Sequence, residues 1–317
     1  MSEKMTQRDA FWNKIYEMQK KDRDLIVISA DMGAPALDQV RRDFPSQFIN
    51  VGIAEQNAIL IGSGLALLGK HVFAYAIAPF ITLRCLEQIR VNCAIMKMPM
   101  TIVGVSAGFG YVDAGPTHHS TEDIAIMRSL PGMTIHCVSD NIMAAYFAEK
   151  SCRMTNANYV RLDRQPLADL YKSGTSFEDG CAVLKKGSSY LVANGCMTHM
   201  ALDIAGQLAQ KGLDVGVIDL YEFPIKEGKF LAAVKGAERL ITLEEHYYAG
   251  GMGGAVAEVL MDHEVFIPLK RIALDAQKGY CYNYGSRDAI RGYYGLDPAS
   301  VAKKVEQILT KNTLANV

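Results

Sequence analysis

Short aliphatic runs alternate along this chain with longer stretches in which apolar residues recur every three or four positions. The short runs at 25–29, 48–51, 71–77, 101–105, 134–138 and 159–162 predict strands, and the longer ones at 35–43, 54–69, 79–96, 121–128 and 141–153 predict helices between them. Strands separated by helices of this length imply parallel pairing through right-handed crossovers. The run at 101–105 is almost continuously apolar, which suits a sheet covered on both faces, and 48–51 reads as a short buried strand. Residues 164–181 are polar, turn-rich and without a period, so they read as a connection. A second alternation follows, with strands at 189–193, 214–220, 239–243 and 271–274 and helices at 198–211, 227–234, 253–262 and 299–314. The pattern predicts two α/β domains: residues 1–168, a linker at 169–185, and a smaller domain at 186–317. No internal repeat or low-complexity segment interrupts it.

Composition narrows the function. The chain has 317 residues, 50% of them hydrophobic, enough for two sizeable cores. Its formal net charge of -1 argues against a nucleic-acid binder or a polybasic membrane anchor. The first ten residues are polar and mixed in charge, unlike a signal peptide, and glycines, charges or prolines interrupt every apolar stretch before about 20 residues. Seven cysteines, odd in number and without a Cys-x-x-Cys pair, read as free thiols in a reducing cytoplasm rather than as disulfides or a zinc site. No phosphate-loop, zinc-protease or nucleophile-elbow motif is present. The glycines at 250, 251, 253 and 254 precede a predicted helix. They offer an anion site on helix amides, or else tight packing of the helix start against a neighbouring subunit.

Four segments carry candidate chemistry at predicted strand ends, where open α/β sheets place their sites. In Gly52-Ile53-Ala54-Glu55-Gln56-Asn57 a carboxyl stands at a strand-to-helix junction beside an apolar segment. Desolvation there disfavours the charged carboxylate and suits it to exchanging a proton with a ring nitrogen. The plainer reading is a solvated glutamate in a first helical turn. In the segment from Ala74 to Arg84, Ile77, Phe80 and Leu83 form an apolar platform on which a flat heterocycle can stack, or equally a core stripe of one helix. The loop from Ser106 to Ser120 ends in Gly115-Pro116-Thr117-His118-His119, whose imidazoles can orient or protonate a sugar oxygen. One of the two histidines is expected to face inward. In Arg161-Leu162-Asp163-Arg164-Gln165-Pro166 the fork of either arginine suits a phosphate or sulfonate, or else a structural ion pair with Asp163 or another carboxylate.

These four motifs, in this order, resemble the C-terminal half of transketolase, over about residues 25–260. The resemblance implies a mostly parallel-sheet pyrimidine-binding domain of thiamine enzymes followed by a smaller α/β transketolase C-terminal domain. It implies the C-terminal subunit of a split transketolase, moving a two-carbon ketol unit from an anionic ketose to an aldose. Thiamine diphosphate is then the cofactor, with Mg2+ or Ca2+ bound mainly by a partner. No Gly-Asp-Gly motif for that metal occurs here, so no metal ligand is expected in this chain. The implied partner is an N-terminal transketolase subunit, in a heterotetramer. By resemblance Glu55 is catalytic and hydrogen-bonds N1′ of the aminopyrimidine, and Phe80 stacks on that ring with Ile77 and Leu83 beside it. His118 contacts substrate hydroxyls, Arg164 binds the sugar anion, and Arg84 contributes to the anion's end of the substrate. Three departures from the family pattern bear on sugar choice. Ala114 stands where an aspartate usually precedes Gly-Pro-Thr-His, with Asp113 one position early as a substitute. Asn57 stands where many members have histidine, and no phosphate-binding serine follows Ala30-Asp31. The β subunit of a 2-oxo acid dehydrogenase first component and a deoxyxylulose phosphate synthase-like carboligase are the alternatives within thiamine chemistry. A non-catalytic assembly protein is the alternative outside it, and intact Glu55 and Phe80 argue against that.

Overall fold

The structure, a computed structural model, describes residues 5–310. The chain divides into two compact units. One is the chain up to Gly110 with Thr117–Phe177, and the other is Tyr111–Pro116 with the chain from Glu178 on.

The first unit opens with a helix the hydrophobic pattern did not reveal, α1 (Gln7–Gln19). Thr6 caps it by accepting from the Asp9 amide at 3.3 Å, and Phe11, Trp12 and Ile15 are wholly buried. The signal was an apolar stripe only three residues wide in a charged background. After it come β1 (Leu25–Ser29), α2 (Pro35–Asp43), β2 (Phe48–Asn50), α3 (Glu55–Leu67) and β3 (His71–Ile77). Then follow α4 (Ala78–Ile81), α5 (Leu86–Ile89), β4 (Met100–Val105), α6 (Asp123–Arg128), β5 (Thr134–Cys137), α7 (Asn141–Ser151) and β6 (Asn158–Leu162). These strands run in the order β5-β6-β4-β3-β1-β2, each neighbouring pair parallel. All their C-terminal ends therefore lie along one edge of the sheet.

Two elements differ from expectation. β2 is half-exposed rather than buried, because it is an end strand with a neighbour on one side only. The helix expected over 79–96 breaks into α4, α5 and a π-helical turn over Arg90–Ile95. The break falls at Thr82, whose hydroxyl donates back to the Ala78 carbonyl at 2.6 Å, a local bond that competes with helix continuation. The polar stretch after β6 is held in place: the Leu170 and Tyr171 amides donate to Asp140, both at 2.8 Å, and Phe177 is buried against Tyr146 and Tyr171.

The second unit contains β7 (Cys181–Lys185), β8 (Ser189–Ala193), α8 (Cys196–Ala209), β9 (Val215–Leu220), the two-residue β10 (Glu222–Phe223) and α9 (Glu227–Ala233). It continues with β11 (Arg239–Tyr247), α10 (Met252–Asp262), β12 (Leu269–Leu274), α11 (Arg287–Tyr294) and α12 (Pro298–Thr310). Its sheet has the order β12-β11-β8-β9-β7, parallel except that β7 runs against β9. β7 falls within the stretch that the pattern reads as linker. α11 was also not anticipated, although Ser286 caps its start and Gly295, left-handed at φ 66°, ends it. The helix expected at 299–314 is described as far as Thr310.

Of the two readings of the glycines at 250–254, an anion held on helix amides is the one seen, and the anion comes from the chain itself. Glu244, 1% exposed, accepts from the Met252 amide at 2.6 Å and the Gly253 amide at 2.9 Å. A β-carbon at Gly251 would stand 2.4 Å from the Glu244 carboxylate, and one at Gly253 would stand 3.0 Å from it. The helix start already holds an anion, which is the protein's own carboxylate.

Candidate functional site

The parallel sheet delivers the candidate residues to its C-terminal edge from separate connections. Glu55 is the first residue of α3, after β2. Phe80 lies in α4, directly after β3, and His118 lies in the loop after β4. Backbone strain marks the same edge. Asp31, after β1, and Ser106, after β4, are non-glycine residues at φ 55° and φ 69°. Such left-handed positions gather at functional sites because surrounding structure must hold them.

Glu55 is 3% exposed. Its carboxylate is not solvated; it accepts from Nη1 of Arg84 at 2.7 Å, and the Arg84 side chain is 42% exposed. The Gln56 side chain donates to the Arg84 carbonyl at 3.1 Å, fixing the turn that carries the arginine. The Arg84 guanidinium also lies over the Phe80 ring, 4.2 Å from its centroid. Phe80 is half-buried and meets the His118 ring edge-on, with centroids 4.9 Å apart. Four residues expected at the site, Glu55, Phe80, Arg84 and His118, are thus brought into one chain of contacts. Arg84, expected at a substrate anion, here neutralises the buried carboxylate.

The others are placed as follows. Ile77 is buried at the end of β3, and Leu83 is exposed in the turn that carries Arg84. His119 is buried edge-on against Phe109, so His118 is the more open of the two imidazoles. Arg161 makes a structural ion pair, with Asp123 at 2.7 Å rather than with Asp163, and Tyr159 donates to the same carboxylate. Arg164 is exposed just beyond β6. Asp113 is exposed and lies in Tyr111–Pro116, which belongs with the second unit. Cys85, next to Arg84, donates to the Phe80 carbonyl, and burial, with the Glu55 charge adding, pushes its thiol up to about 12. It is therefore a neutral packing group. Sequence reasoning did not find the Glu55–Arg84 pair, because it assigned both residues to ligands and joined α4 and α5 into one straight helix.

The residues fit an aminopyrimidine. A carboxyl withdrawn from water is joined through Arg84 to a half-open aromatic ring, and buried Ile77 ends the neighbouring strand, a set that suits a flat ring with one basic nitrogen. Among the described residues, no group of three or more His, Cys, Asp or Glu side chains could hold a metal ion. No helix among them is long and apolar enough to cross a membrane.

Comparison with known proteins identifies the family. Residues 3–168 match the transketolase pyrimidine-binding domain and residues 182–301 the transketolase C-terminal domain. One subunit of the apulose-4-phosphate transketolase of Phocaeicola vulgatus is 31% identical over 313 residues, covering 96% of this chain and 97% of that protein. The 6-deoxy-6-sulfo-D-fructose transketolase subunit SqwH of a Clostridium species is 28% identical over 305 residues, covering 95% of this chain and 94% of that protein. A solved split-gene transketolase, described as an inactive beta4 tetramer, superposes with a TM-score of 0.84 at 30% identity, covering 97% of this chain and 99% of that one. The chain therefore belongs to the transketolase family, carries that family's pyrimidine-binding and C-terminal domains, and is similar along its length to single subunits of split transketolases.

Proposed function

We propose that this chain is the C-terminal subunit of a cytoplasmic split transketolase and is active only with an N-terminal partner subunit that holds the diphosphate and its metal ion. The reaction is transfer of a two-carbon ketol unit from an anionic ketose to an aldose, chemistry of the pentose phosphate kind. When bound, thiamine diphosphate supplies the nucleophilic carbon and electron sink for breaking and forming a bond beside a carbonyl. Glu55 holds a proton between its carboxyl and the basic ring nitrogen of the pyrimidine. Phe80 and Ile77 wall that ring from water, with Leu83 at the rim. Arg84 yields Glu55 to the ring and, being half in solvent, turns outward toward the substrate anion. His118 donates to a sugar oxygen, Asp113 takes a hydroxyl, and Arg164 grips the phosphate or sulfonate with its fork. We assign the pyrimidine-binding role to residues 1–168 and the C-terminal role to 186–317.

The observation that carries this reading is the burial of Glu55 at the start of α3, joined through Arg84 to the half-open ring of Phe80. Its test is Glu55→Gln in the complex with the N-terminal subunit. Ketol transfer from phosphorylated and sulfonated ketoses should fall by about 10²–10⁴-fold, the range for loss of a positioned acid–base group. The circular dichroism spectrum should not change. Near-normal turnover would remove Glu55 from the chemistry. Turnover of 2-oxo acids by the unaltered complex, without ketol transfer, would move the assignment to a dehydrogenase component.

A further inference from the structure

The second unit contains a cleft of about 400 Å3 where the edge strand β12 and the start of β11 meet α12. Arg239, Tyr248, Lys270, Arg271, Lys304 and Gln307 line it. Four of these are cations, and no carboxylate is among the described residues that line it. The hydrogen bonds they make are to neutral carbonyls: Arg239 to Ile308, Arg271 to Tyr248 at 3.1 Å, and Lys304 to Gly295 at 2.8 Å. Arg271 also lies over the Tyr248 ring, 5.2 Å from its centroid.

Arg239 is only 8% exposed. The other buried arginines of the chain each have a carboxylate: Arg161 has Asp123, and Arg287 and Arg291 share Glu245. Among the described residues Arg239 has none. A cation taken out of water without a counter-charge costs several kcal/mol, about the size of a large single-site effect. Carbonyl acceptors satisfy N–H geometry but supply no net charge. Three further cations around the same hollow add repulsion. An anion carrying more than one charge would offset both the buried guanidinium and its three exposed neighbours.

We propose that this cleft binds a multiply charged, phosphate-bearing small molecule, a diphosphate or a phosphate ester. The two guanidinium forks match phosphate oxygens in pairs, and the two ammonium groups act as mobile point charges. Tyr248 provides an apolar wall for the organic part, and Gln307 a neutral hydrogen-bonding group. The proposal does not depend on the transfer reaction.

Calorimetric titration of the full chain with pyrophosphate and with ADP at low salt tests it. At least one of the two should bind saturably, one per chain, and more weakly at higher ionic strength. Lys270 and Lys304 are both exposed, so the double variant K270Q/K304Q should fold. Without anion it should melt no lower than the unaltered chain, and its affinity should fall about tenfold or more. The variant R164A, altered in the first unit, should bind as the unaltered chain does. The proposal is overturned if neither probe binds, if K270Q/K304Q binds equally well, or if binding is lost in R164A.

Discussion

One contact decides how the candidate site is read: the 2.7 Å bond between Glu55 and Arg84. A carboxylate only 3% exposed must be neutralised or paired, and Arg84 pairs it. The arginine is itself 42% exposed, so solvent screens much of the attraction. A double-mutant cycle with Glu55→Gln and Arg84→Gln, read by urea unfolding, should give a coupling of about 1 kcal/mol, well short of a fully buried pair. A coupling near zero would mean that the pair does not persist in solution. At this scale the sequence disclosed the residue types but not their pairing. Gly-Ile-Ala-Glu-Gln-Asn marks a carboxyl at a strand end, yet nothing in the spacing of Glu55 and Arg84 announces that one neutralises the other. Their contact depends on the break at Thr82, which swings residues 82–85 out of helical register. A reading based on apolar period passes straight over such a break.

Elements built on strong periodicity were legible almost to their ends. β1, β3 and β8 match their predicted ranges, and α2, α3 and α8 lie within a few residues of theirs. Those that were missed depend on contacts rather than on pattern: α1 on a narrow aromatic stripe, β7 on antiparallel pairing with β9, and α11 on its two caps. The start of α10 shows the same limit. Its glycines were visible, but their occupant, Glu244, lies eight residues before Met252 on β11. That carboxylate meets two backbone amides at the positive end of the helix, and a charge-assisted bond of this kind contributes about 1.5–3 kcal/mol. Glu244→Ala should therefore destabilise the chain by about 3 kcal/mol in chemical denaturation, because it strands buried donors without giving them water. Gly251→Ala should cause a loss in the same direction, since its β-carbon would fall 2.4 Å from the Glu244 carboxylate. A null effect of both would show that the carboxylate is not what organises this helix start.

On the scale of the whole molecule, α3 connects the site to assembly. Its inner stripe, including Ala58, Ile59, Gly62 and Ala66, packs on the sheet of the first unit. The outer stripe is apolar as well: Leu60 is 50% exposed and Leu67 68%, flanked by Ile53 at 80% and Leu68 at 76%. Beyond the exposed Gln56 and Asn57 of its first turn, this helix turns large apolar side chains to solvent, which suits a surface that another chain covers. Glu55 starts this helix, so whatever covers the outer stripe lies along the same element as the candidate site. That cover is expected to be the N-terminal partner subunit. Leu60 and Leu67 have little to lose inside the chain, so Leu60→Asp with Leu67→Asp should leave its melting temperature close to that of the unaltered protein. The same change places two carboxylates in an interface that must exclude water, a cost of several kcal/mol for each charge left unpaired. Co-elution with the N-terminal subunit on size exclusion should then disappear, and ketol transfer with it. If the altered chain still co-elutes and turns over normally, the outer stripe is not the subunit contact. If it loses only self-association, the occupant is a second copy of this chain, and the partner subunit must reach Glu55 from another side.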